Sequence, residues 1–82
     1  MPIIPLSSLK RGDTAIIASV TERDAKWNRR LEDLGFTPGT VVTTLRKAPF
    51  GGPTVYRVRS YELSLRKSEA AFIFVNARNA NG

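Results

Sequence analysis

The chain has 82 residues, 41% of them hydrophobic, a net charge of +6, and neither cysteine nor histidine. This length makes one domain near the lower limit for a core that folds unaided, and leaves little room for a deep catalytic cleft. Disulfides and soft-metal cages are excluded without thiolate or imidazole, the seven acids are scattered, and no cofactor is expected. The positive charge favours an acidic partner: nucleic acid, an anionic membrane or an acidic protein surface.

Taken in chain order, Pro2 and Pro5 keep the first residues extended. The start lacks the charged-then-apolar pattern of a signal peptide, and no window is long enough to span a bilayer. The expectation is a cytosolic protein with no insertion into a membrane. Residues 10–13 (KRGD) form a turn, and 14–20 (TAIIASV) a strand rich in β-branched residues. Thr21 and Asp24 have capping-box spacing; Ala25, Trp27, Leu31 and Leu34 then recur on one helical face. Gly35 stands where a helix ends in a left-handed residue.

Pro38 and Gly39 mark a tight turn, and residues 40–47 (TVVTTLRK) a second strand. A glycine-bearing loop, 48–53 (APFGGP), leads into two strands, 54–60 (TVYRVRS) and 62–67 (ELSLRK), with a corner around Ser60 and Tyr61. Residues 68–70 can start one helical turn. The last strand, 71–75 (AFIFV), has no polar face over Phe72 to Val75, so the helix or a second copy of the chain should cover it, which raises possible self-association. Residues 76–82 (NARNANG) read as a mobile polar tail. Five short strands with a helix inserted after the first predict a small, partly open antiparallel barrel, a single domain with its core at about 8–75.

Alternation along the hairpin turns Tyr56 and Val58 inward and Arg57 and Arg59 outward; Leu63 and Leu65 face the core, and Arg66 faces out. Arg57, Arg59 and Arg66 would form one basic stripe, suited to bidentate contacts with carboxylates or phosphates, or simply a solvated face. In the loop, Gly51 and Gly52 allow unusual backbone shapes, and Phe50 at a tip either folds back or meets a partner. The loop has neither Walker spacing nor a following helix, so it is no nucleotide cradle. The candidate partner surface is therefore Pro49, Phe50, Gly51, Pro53, Arg57, Arg59, Tyr61 and Arg66. An alternative is a basic barrel binding single-stranded nucleic acid, with Phe50, Tyr56, Tyr61 and Phe72 as stacking platforms. Catalysis lacks the residues for general acid–base or nucleophilic work.

Leu34-Gly35, Pro38-Gly39-Thr40, Ala48-Pro49, Gly52-Pro53, Val58-Arg59, the Leu-x-Leu-Arg run at 63–66 and the apolar closing strand follow one another in a characteristic order. From about Leu9 to Val75 the chain thereby resembles the FeoA family, small SH3-like proteins that accompany the ferrous iron permease FeoB. Gly52 departs from the pattern, since many relatives carry an acid there. The resemblance implies a five-stranded SH3-like barrel and a non-enzymatic cytoplasmic accessory protein. Its partner would be the cytosolic G-domain region of FeoB, and nucleic acid is not expected as a ligand.

Overall fold

The computed structural model describes residues 3–21 and 25–78. Its strands are β1 (Ile3–Pro5), β2 (Thr14–Val20), β3 (Val41–Lys47), β4 (Thr54–Val58), β5 (Tyr61–Leu65) and β6 (Ile73–Arg78). Two helices, α1 (Ala25–Asp33) and α2 (Lys67–Ala70), and a 3-10 turn at Leu6–Ser8 complete it. Among the described residues the strands pair antiparallel, and the sheet runs β1-β6-β2-β3-β4-β5.

The strand count is six rather than the five expected, so α1 follows the second strand. The added strand is the proline-bordered start of the chain, where Ile3, Ile4 and Pro5 pair with Asn76, Val75 and Phe74. Proline tolerates this place because β1 is a sheet edge, where a missing N–H breaks no second ladder. The apolar strand β6 lies between β1 and β2, and Ile73 and Val75 are fully buried. Its composition reflects that central place within a single chain. β6 also runs on through Asn76, Ala77 and Arg78, which pair with Ile16, Ala15 and Thr14. The expected tail therefore starts inside the sheet; 79–82 lie outside the described residues, as does Asp24 of the expected capping box.

Two bulges curl the sheet. The register slips between Ile17 and Ser19 on β2, and between Thr44 and Arg46 on β3. An extra residue increases local twist and re-aims the side chains beyond it. Along β4 the period of two is clean: Thr54, Tyr56 and Val58 are buried, while Arg57 is exposed. The core gathers these with Leu6, Leu9, Ile17, Leu31, Phe36, Val42, Leu65, Ile73 and Val75.

Helix α1 lays Trp27, Leu31 and Leu34 against that core, the spacing of one helical face. It ends at Gly35, which has φ +98°. There Phe36 N–H donates to the Leu31 carbonyl at 2.8 Å and Gly35 N–H to the Glu32 carbonyl at 3.0 Å. These are the two bonds of a Schellman closure, and the accompanying apolar contact pairs the buried Leu31 with Phe36. A Cβ at Gly35 would lie 2.7 Å from Arg59 Nε and 3.2 Å from Val58 Cγ1. Glycine is therefore required twice, by the left-handed backbone and by the hairpin packed on it.

Replacing Gly35 with Ala should cost about 2 kcal/mol and lower the melting temperature by about 10 °C, measurable by thermal denaturation. Burial pushes the Tyr56 phenol above its ordinary 10.0, an effect that a hydrogen bond with Thr54 partly offsets. The unfolded chain then loses this proton first, so stability should fall as pH rises above about 10. With no histidine, melting temperatures should stay flat between about pH 6 and 8.

Candidate functional site

β4 ends in a two-residue turn on each side, and both turns place a large side chain in a left-handed backbone. Between β3 and β4, Gly52 N–H donates to the Pro49 carbonyl at 3.2 Å, and Ala48 N–H to the Pro53 carbonyl at 3.0 Å. Phe50 and Gly51 between them have φ +59° and +76°, the signature of a type I′ turn. Between β4 and β5, Val58 pairs with Tyr61, and Arg59 takes φ +57°. Asparagine or glycine would fit either first position at little cost; Phe and Arg each carry about 1 kcal/mol of strain. Backbone strain of this kind concentrates at sites of contact.

The eight residues expected to form one surface fall at two ends of β4, about 13 Å apart along its five residues. Pro49, Phe50, Gly51 and Pro53 make the tip at one end. Arg66 belongs with them, because it follows Leu65, which pairs with Thr54. Arg57, Arg59 and Tyr61 lie toward the other end. The single basic stripe is thus corrected to two patches. Arg59 also leaves the strand alternation assigned to it: it is the first turn residue, and its side chain crosses Gly35 at the end of α1. A cation there complements the negative pole of the helix.

At the corner patch, Arg57 faces Glu62 across the hairpin, with Arg57 Nη2 3.5 Å from Glu62 Oε2. Arg46 Nη2 lies 3.3 Å from Glu62 Oε1, so one carboxylate bridges two guanidinium groups. Beside them Thr40, Val41, Thr43, Arg57 and Arg59 line a shallow hollow of about 310 Å³. Val41 is 47% exposed and Tyr61 36% exposed. Val41, Thr43, Arg57 and Glu62 thus share an outward sheet surface, an apolar side chain among cations, the mixture found in protein interfaces; Tyr61 pairs with the buried Val58 and so belongs to the other face of the hairpin. Val41 and Glu62 were absent from the expected site; only the pairing register, invisible in single-strand alternation, brings them to Arg57.

At the tip, Phe50 is fully exposed and does not fold back over the barrel. A Cβ at Gly52 would lie 2.6 Å from that of Ala48, so glycine at this departure from the family pattern fits a tight tip. Lys47 and Lys67 line a hollow of about 190 Å³ beneath it, with Ser7, Ala48, Gly51, Gly52 and Thr54. Arg66 N–H donates to Glu69 Oε1 at 2.8 Å, fixing the start of α2. The aromatic row needed for stacking bases does not form: Tyr56 is in the core, Phe72 is half-buried, and Phe50 and Tyr61 sit at opposite ends of β4. Among the described residues no group of three His, Cys, Asp or Glu side chains could hold a metal ion, and no helix is long and apolar enough to cross a membrane.

Because Arg46, Arg57 and Glu62 are about half exposed, Glu62→Gln should change stability by less than about 1 kcal/mol in thermal denaturation.

Comparison with known proteins adds the family. Residues 4–77 match the FeoA domain. The chain is similar, at 37% identity over 76 residues, to the Fe(2+) transport protein A/Fe(2+) transporter FeoB fusion protein of Porphyromonas gingivalis; it spans 93% of this chain and 9% of that protein. Among solved structures it is similar to the FeoA protein of Chlorobium tepidum, with TM-score 0.83 and 38% identity over 90% of this chain and 70% of that one. Stenotrophomonas maltophilia FeoA complexed with zinc, described as a prokaryotic SH3 domain protein, gives TM-score 0.77 and 35% identity over 87% of each chain. The small curled sheet is thus an SH3-like fold, and the chain belongs to the FeoA family.

Proposed function

We propose that the chain is a non-enzymatic accessory protein of ferrous iron transport that docks on the cytosolic G-domain region of a FeoB-type permease. The observation carrying this reading is the Porphyromonas gingivalis relative, in which the homologous segment is part of one chain with FeoB. Covalent joining replaces a binding equilibrium with a high effective concentration, which suits two partners that work in contact. Where the two are not joined, the contact has to be supplied by the surface of the domain.

The corner patch has the chemistry for it. Arg57 and Arg59 offer forked donors to carboxylates, Val41 offers apolar area on the same face, and Arg59 is held in place over Gly35. Glu62 holds Arg57 at the surface of the folded chain, so an acidic partner group meets a guanidinium already positioned. Location beside the permease at the inner face of the membrane follows from the same reading.

The test is copurification with the cytosolic part of a FeoB-type permease. Arg59→Gly suits the left-handed turn and should keep the melting temperature near wild type. Combined with Arg57→Gln, it should weaken binding at least about tenfold. Undiminished binding by this folded double variant would remove the corner patch from the interface.

A further inference from the structure

We propose that the opposite end of β4, the Phe50 tip with Lys47, Arg66 and Lys67 around it, is a contact site for an anionic lipid surface. Phe50 is wholly exposed on a backbone that strains to present it, with φ +59°. Hydrogen bonds from Ala48 to Pro53 and from Gly52 to Pro49 close the turn beneath the ring. Pro49 and Pro53 stiffen the frame, so little freedom is lost when the tip meets a surface.

The surroundings distinguish a lipid surface from a protein one. Phe50 projects alone, whereas protein interfaces need an apolar patch of several hundred Å² with complementary shape. A fluid headgroup layer moulds around a single aromatic knob and takes rings at the level of its interface. Cations complete the match. Lys47 and Lys67 line the hollow under the tip, no acidic residue lines it with them, and Arg66 is exposed beside them. Among the described residues neither Lys47, Arg66 nor Lys67 takes part in an ion pair, the nearby Glu69 carboxylate accepting from the Arg66 backbone N–H, whereas Arg46 and Arg57 share Glu62. Buried apolar area and attraction to anionic headgroups are the two contributions that set peripheral binding. The contact lies in the headgroup region and spans nothing.

This inference stands apart from permease docking, because its assay contains no permease. The full chain is sedimented with phosphatidylcholine vesicles with and without phosphatidylglycerol. Binding should require the anionic lipid and weaken with added salt. Phe50→Asn, which relaxes the turn and so preserves folding, should lower partitioning about tenfold. Lys47→Gln and Lys67→Gln should each lower it about fivefold. No sedimentation with anionic vesicles, or sedimentation unchanged by Phe50→Asn, overturns the proposal. So does a Phe50→Asn variant that binds vesicles like wild type but loses copurification with the permease, which would give the tip to a protein interface.

Discussion

The inward burial of Thr54, Tyr56 and Val58 along β4 is the constraint on which the exterior depends. Three side chains locked into the core fix the strand's face, its register with β3 and β5, and the points at which it must turn. Shifting that register by one residue would bury Arg57 and expose Tyr56, a change no surface gain could offset. The positions of Phe50, Arg57 and Arg59 therefore follow from packing on the other side of the strand. Their chemistry is free to serve a partner because their placement is decided elsewhere.

A second constraint joins helix to hairpin. Gly35 ends α1 in a left-handed conformation, and the absence of its side chain makes room for Arg59 and Val58. The strained turn at Arg59 is stabilised in return by contact with the helix end, where its charge is favoured. Neither element would hold this geometry alone. The helix, remote in sequence from the hairpin, helps to shape the surface that the hairpin presents.

Much of this was legible in the sequence because it rests on local rules. The one-face spacing of Trp27, Leu31 and Leu34, the stop at Gly35 and the Pro38-Gly39 turn were each marked by residues with few alternatives. The remainder is decided by tertiary partners. Alternation makes Arg59 a strand residue because a turn normally announces itself with glycine or asparagine, and packing over Gly35 overrides that preference. The strand at Ile3–Pro5 and the continuation of β6 through Arg78 depend on each other and on β2, so composition alone pointed to an extended start and a loose end. The eight surface residues are each visible in the sequence, but their division into two patches depends on the length of β4.

β1 and β6 lie side by side, with Ile3 opposite Asn76. A polypeptide whose first and last strands are hydrogen-bonded neighbours can be attached to another protein from either strand at nearly the same place. In the order of the sheet the hairpin of β4 and β5 is three strands removed from β6. The architecture is in this sense modular: it can be carried as a segment of a larger chain, as its homologue is in the Porphyromonas gingivalis fusion, without rebuilding its core.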